Sequence, residues 1–161
     1  MTLRAAKTAL IFAVALFYSL IVFNNITDYD SNYQFIRHVL MMDSTFSNNS
    51  GMWRAMNPAV HTIFYITIIA WESITMILCW WGGVRLARAT AAAFNQAKRT
   101  AIIALTISLM MWLVAFLTVG AEWFLMWQSK TWNGQEAAFR NFAVVGVILI
   151  FLALPDTDEQ P

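Results

Sequence analysis

The 161-residue chain has the length of one domain and an unusually apolar composition. Apolar residues make up 60% of it and charged residues 12%, the formal net charge is +1, and the mean hydropathy is +0.58. This composition excludes an ordinary soluble domain and indicates a membrane protein. Because a helix rises about 1.5 Å per residue and must cross a core about 30 Å thick, the chain can supply only a handful of spans.

Four apolar runs predict four transmembrane helices, at about residues 5–23, 59–84, 100–127 and 138–155. The first run follows Arg4 and Lys7 and shares a basic start and an apolar core with secretory signals. No small-x-small cleavage site follows it, so we interpret it as an uncleaved helix. Residues 1–161 are therefore expected to form a single all-α domain, a polytopic bundle of four membrane-spanning helices.

The link at residues 24–58 is the only large segment predicted to lie outside the membrane. Within it, YQFIRHVLMM repeats apolar residues at helical spacing. We predict a short amphipathic helix over residues 33–42, packed on the bundle with Phe35, Val39 and Met42 on its buried face.

Basic residues predict the orientation of the bundle. One side would carry Arg4, Lys7, Arg85, Arg88, Lys98 and Arg99, and the other Arg37, Arg54, Lys130 and Arg140. The positive-inside rule then places both termini in the cytoplasm and residues 24–58 outside. The basic link VRLARATAAAFNQAKR can contact anionic lipid headgroups or serve simply as a positive-inside loop, and we favour the second interpretation.

Three strings carry a resemblance to a known family: NNITDYDSNYQFIRHVLMMD, MWRAMNPAVHTIFYITIIAWE and GAEWFLMWQSKTWNGQEAAFR. With them the chain resembles the bacterial predicted small integral membrane proteins that are grouped as a domain of unknown function. The resemblance covers nearly the whole sequence. It implies four transmembrane helices in a bacterial inner membrane, but no established activity and no catalytic residues that could be transferred.

Small and weakly polar residues form one stripe on each of three predicted helices when residues are placed about 100° apart. The second helix aligns His61, Tyr65, Glu72, Cys79 and Gly83. The third aligns Ala104, Ser108, Met111, Ala115, Thr118 and Glu122, and the first aligns Thr8, Ala15 and Ser19. Such stripes allow close helix packing in lipid, so we expect them to meet in the centre of the bundle.

This arrangement places Glu72 and Glu122 inside, and His61, Tyr65, Glu72 and Glu122 are the intramembrane polar candidates for a site. Two interpretations remain open for the carboxyl groups. They can be hydrogen-bonded to neighbouring helices and stabilise packing, or they can carry protons or ions. We favour packing. Their depths differ, since Glu72 lies near the midplane and Glu122 near the outer boundary, which disfavours a carboxylate pair.

A metal site is a weaker hypothesis. His38, Met41, Met42 and His61 are the kinds of ligand that copper(I) accepts. Methionine is also a common gap filler, and His38 and His61 lack a recognised ligand spacing, so we expect neither a metal nor another cofactor. The single Cys79 excludes an intramolecular disulfide.

The sequence carries no glycine-rich phosphate loop, HExxH or GxSxG motif, and we predict a protein that is not an enzyme. The favoured function is an accessory or stabilising subunit of a larger inner-membrane complex. The alternative is a small transporter or a proton or ion relay that uses Glu72 and Glu122. Expected partners are membrane lipids and either another membrane subunit or a second copy of the chain, but not nucleic acid.

Overall fold

The computed structural model describes residues 3–156, which form five helices and no strand. The helices are α1 (Leu3–Thr27), α2 (Tyr29–Met41), α3 (Pro58–Arg88), α4 (Phe94–Trp123) and α5 (Gln135–Ala153). All except α2 are long and apolar enough to cross a membrane. The prediction of a four-span helical bundle is confirmed, although every helix boundary differs from the predicted one by one to six residues.

The helix boundaries follow from local chemistry. Asn57 precedes α3 and accepts a hydrogen bond from the Ala59 backbone N–H at 2.9 Å. Pro58 begins the helix, where a missing N–H costs nothing. At the other limit, α4 ends at Trp123 rather than near residue 127, because Leu125 adopts a left-handed conformation with φ of 55° and turns the chain.

The amphipathic helix predicted in the first link is α2, which begins four residues earlier than expected. Val39 and Met42 are buried, and Phe35 packs against the same cluster. Met42 ends the helix in a left-handed conformation with φ of 54°, and its N–H donates to the Val39 carbonyl. The prediction of its buried face is confirmed.

The bundle is ordered so that α1 packs on α3, α3 on α4, and α4 on α5. We call the end with residues 28–57 and 124–134 the loop end, and the end with residues 3, 89–93 and 154–156 the terminal end. Glycines set the spacing of α3: a Cβ at Gly82 would lie 2.9 Å from the Ala101 backbone of α4, and one at Gly83 would lie 2.7 Å from the Phe12 ring of α1. Close approach of this kind is typical of helices packed in lipid.

Helix α4 changes its winding midway. It is α-helical over Phe94–Met110 and π-helical over Met111–Trp123. The predicted stripe is buried at Ala104, Ser108 and Met111, but Thr118 and Glu122 are exposed.

The prediction that Glu122 lies inside the bundle is therefore wrong. Bonds from residue i to i+5 put more than the α-helix's roughly 3.6 residues into each turn, so the face rotates progressively after Met111. Gly120 and Ala121 take the buried positions instead.

Candidate functional site

The polar stripe on α3 faces the interior as predicted. His61, Tyr65, Glu72, Cys79 and Gly83 are all buried, and Glu72 is only 3% exposed. Since an unpaired carboxylate in a hydrocarbon core is costly, the neighbours of Glu72 determine what it can do.

Asn25 of α1 is the direct partner of Glu72. Its amide Nδ2 donates to Glu72 Oε2 at 2.6 Å, and its backbone carbonyl accepts a hydrogen bond from the Tyr65 hydroxyl at 3.0 Å. All three side chains are buried. Residue 25 lies near the end of α1, where helix carbonyls lack intrahelical partners, and Tyr65 supplies one. The three residues bind α1 to α3 with one continuous set of hydrogen bonds.

Two further tyrosines cover this cluster at the loop end. The Tyr29 ring stands edge-on to Tyr65 at 4.8 Å between centroids, and Tyr33 lies 6.0 Å from Tyr65. The rings of Tyr29 and Tyr33 stack on each other at 5.9 Å. Helix α2 therefore closes the loop-end side of the Glu72 cluster with aromatic rings.

A second polar cluster lies deeper in the bundle and joins α1 to α4. The hydroxyls of Tyr18 and Ser108 share a hydrogen bond of 2.6 Å, and the Trp112 indole N–H donates to the Tyr18 hydroxyl at 2.9 Å. Among residues 3–156, no direct hydrogen bond connects this cluster to Glu72, Asn25 and Tyr65.

Sequence reasoning missed two members of these clusters. Asn25 lies in the segment predicted as a loop, and Tyr18 is not part of the stripe predicted on the first helix, which consists of Thr8, Ala15 and Ser19. The seven-residue spacing of Ile11, Tyr18 and Asn25 was the available signal, because it matches the spacing of Tyr65, Glu72 and Cys79 on α3. Both sets are buried.

The remaining polar candidate on α3, His61, is fully buried at the loop end. Its Nε2 lies 3.1 Å from the Met56 carbonyl, and its Nδ1 has no hydrogen-bond partner among the described residues.

The four residues considered as metal ligands have other contacts. His38 bonds Asp43 at 2.7 Å and stacks on Trp132, while Met42 is buried in an apolar cluster at the loop end. Met41 is half-buried at the end of α2, and His61 bonds Met56. In the described part of the chain, no group of three or more His, Cys, Asp and Glu side chains is placed to hold a metal ion.

An ion cluster at the terminal end was not predicted. Asp156 Oδ1 lies 3.0 Å from Lys7 Nζ of α1, and its Oδ2 lies 2.6 Å from Lys98 Nζ of α4. Both lysines also donate to the Leu154 carbonyl. Burial alone would raise the pKa of Asp156, but the hydrogen bonds from Lys98 and Lys7 outweigh it and hold the pKa below its usual range. The segment after α5 is thereby fastened to two other helices.

An apolar groove opens beside the bundle near the loop end, with a volume of about 420 Å³. Helix α3 and the π-helical part of α4 form its walls, α2 lies over it, and Phe124 and Met126 complete the lining.

Comparison with known families adds a decisive observation. Residues 3–155 match the family described as "Predicted small integral membrane protein (DUF2165)". The chain belongs to this family. No curated protein and no solved structure matches the chain. The family description agrees with the four spans, but it assigns no activity to this small integral membrane protein.

This small integral membrane protein also carries an exposed aromatic patch at the loop end, formed by Phe46, Trp53, Trp123 and Trp127. Trp53 is 73% exposed and stands edge-on to Trp123 at 5.9 Å. Phe46 and Trp127 form a second edge-on pair at 6.0 Å. The Arg54 guanidinium lies 5.5 Å from the Trp53 ring centre and 5.2 Å from that of Trp123, and donates to the Trp123 carbonyl.

Proposed function

We propose that the protein is a non-enzymatic accessory subunit that docks on a second membrane protein through the loop-end aromatic patch. In this proposal the membrane is the bacterial inner membrane, both termini are cytoplasmic, and the patch faces the opposite side. The observation that carries the proposal is the patch itself. Exposed apolar surface beside polar groups is typical of protein and membrane interaction sites.

The residue types in the patch and the fixed orientation of its side chains support docking. Trp and Arg are the residues most often found where binding energy is concentrated. The edge-on ring pairs and the Arg54 contacts hold Trp53 and Trp123 in place in the free chain. Binding would therefore immobilise few additional side chains, which lowers its entropic cost.

The polar core supports a static role over a transporting one. Glu72 is engaged with Asn25, and Tyr18 with Ser108 and Trp112, so these groups join helices. Glu122, the second carboxyl that a relay would use, is exposed on π-helical α4. The carboxyl groups of Glu72 and Glu122 therefore do not belong to one buried cluster.

Site-specific photocrosslinking in intact cells tests the proposal. A photoreactive phenylalanine analogue replaces Trp53 in one variant and Trp81 in the other. Trp81 is the matched control, because it is also an exposed tryptophan, at 56%, but lies at the terminal end of α3. We expect a discrete polypeptide adduct from position 53 and none from position 81.

The mass of the adduct distinguishes the partners. An increase equal to the 18.3 kDa chain would identify self-association, and any other discrete increase would identify a different subunit. If position 53 gives no polypeptide adduct while the variant is inserted at the normal level, docking through the patch is wrong.

A further inference from the structure

We propose that the apolar groove between α2, α3 and α4 holds one acyl chain of a phospholipid from the leaflet at the loop end. The groove lies beside membrane-spanning helices, with Ile63, Thr67 and Trp71 on the α3 wall and Ala115 and Val119 on the α4 wall. Helix α2 covers it with Val39 and its neighbours. An occupant would thus contact protein on three sides. The inference shares Arg54 with the proposed docking patch, but it does not require that a partner protein bind there.

Water does not suit this groove. Its lining includes two polar side chains, and each already has a partner. The Thr67 hydroxyl donates to the Ile63 carbonyl at 2.8 Å, and the Trp71 indole N–H donates to the Ile107 carbonyl at 3.1 Å. A stably buried water needs about two to four polar partners, which these side chains do not offer. The occupant must therefore be apolar.

The length of the groove selects an acyl chain over a protein helix. From Ile63 to Trp71 the α3 wall runs eight residues, or about 12 Å at the helical rise of about 1.5 Å per residue. A transmembrane helix must cross the whole core of about 30 Å, whereas a lipid chain occupies about half of it. The bond from Trp71 to Ile107 joins α3 to α4 at the deep limit of the groove.

A cation, Arg54, lies at the loop end of the bundle, on the side of the membrane where the headgroup of such a lipid would be. Arg54 donates to the carbonyl of Trp123, the residue before groove-lining Phe124. The guanidinium group presents several donors that match phosphate oxygens. Dispersion contacts along the walls would hold the chain, and Arg54 would hold the phosphate.

Photolabelling of the reconstituted full-length protein tests this inference. The protein is placed in nanodiscs of phosphatidylethanolamine and phosphatidylglycerol that contain a phosphatidylglycerol with a diazirine in its acyl chain, and labelled peptides are mapped. We expect label to concentrate on residues 63–71 and 114–120. The exposed face of α5, at Val147 and Ile150, provides the level for freely exchanging lipid.

Two matched variants make the test specific. Thr67→Phe places a ring in the groove and should reduce its labelling to the level of the α5 face. Thr106→Phe is the control, because Thr106 is equally an exposed helix threonine bonded to the carbonyl four residues earlier, but it lies outside the groove. It should leave groove labelling unchanged.

Ala115→Phe fills the groove from the opposite wall and should act like Thr67→Phe, which keeps the test valid if one variant does not fold. Even labelling of the groove and the α5 face in the native protein would overturn the inference. So would persistent groove labelling in a folded filled variant.

Discussion

Asn25 connects the buried carboxyl of this protein to its helix packing. The side chain donates to Glu72 while the backbone carbonyl accepts from Tyr65, so one residue of α1 contacts two positions of α3 that are two turns apart. A hydrogen bond in a lipid-embedded bundle contributes on the order of 1 kcal/mol. The main effect of the Asn25 hydrogen bonds is geometric, because they set the register of α1 along α3.

Substitutions at Glu72 separate packing from proton transfer. Glu72→Gln keeps an oxygen that can accept from Asn25, whereas Glu72→Leu removes it. We expect Gln to leave the free energy of unfolding in mixed micelles nearly unchanged and Leu to lower it by about 1 kcal/mol. The matched control is Glu122→Leu, an exposed position, which should have little effect.

The relay interpretation makes the opposite prediction for function. It requires that Glu72→Gln abolish a proton or ion flux in vesicles while the bundle remains intact. A native flux that disappears in the folded Gln variant would contradict the packing interpretation.

The ion pairs of Asp156 determine how the free energy of unfolding depends on pH. Since its pKa is lowered in the folded chain, its stabilisation is present above the ordinary carboxyl pKa of about 3.9 and is lost as the pH falls through the lowered value. We expect Asp156→Asn to lower the free energy of unfolding by about 1–3 kcal/mol at pH 7. The difference from the native protein should shrink below about pH 4.

Asp30→Asn is the control for this measurement, because Asp30 is exposed and accepts a bond from Gln34 on its own helix. Unfolding titrations at several pH values would give the result. An Asp156→Asn effect that is equal at pH 3 and pH 7 would show that the cluster does not stabilise through charge.

At the scale of elements, the change of winding in α4 determines which residues a sequence can place correctly. Stripe positions up to Met111 follow an α-helical wheel, and those at Thr118 and Glu122 do not. Amphipathic α2 and the apolar spans could be predicted, because the spacing and length of apolar runs indicate such helices directly. The hydrophobic spacing of Met111–Trp123 gives no sign of its π-helical winding, so an α-helical wheel misplaces Thr118 and Glu122.

Cysteine labelling tests the winding. In a Cys79→Ala background, nitroxide spin labels on cysteines at positions 118 and 122 should collide readily with dissolved oxygen, which partitions into lipid, and a label at position 121 should be shielded. Ala121 is buried, and the other two positions are exposed. Continued α-helical winding would give the reverse order, with protection at 118 and 122, and that result would contradict the π-helical segment.

At the scale of the molecule, the ion cluster is a contact between helices that counting the basic residues on each side of the membrane does not predict. Lys7 and Lys98 were interpreted only as positive-inside residues, yet both are buried against Asp156. Neither their spacing nor their order in the chain indicates this contact, because residues 7, 98 and 156 meet only when α1, α4 and the end of α5 are brought together. Likewise, the groove arises from three helices together, and no single segment predicts it.

The orientation of the whole bundle can be tested with a pair of exposed positions. Asn48→Cys introduces a cysteine at the loop end, and Ala92→Cys introduces one at the terminal end. If the termini are cytoplasmic, an impermeant maleimide should label position 48 in intact spheroplasts and position 92 only after lysis. Exchange of the two results would show that the bundle is inverted.

The fastening of Asp156 to Lys7 and Lys98 also has a consequence for biosynthesis. Residue 156 follows the last span, so the two lysines remain without this carboxylate while the ribosome delivers the chain to the membrane. If the termini are cytoplasmic, the unpaired lysines contribute full positive charge to the choice of topology during insertion. Once α5 is in place, Asp156 pairs with both lysines, which leaves about one positive charge in the cluster, and the lysines become interior groups. If the termini are cytoplasmic, the same two residues thus act in insertion first and secure the assembled bundle afterwards.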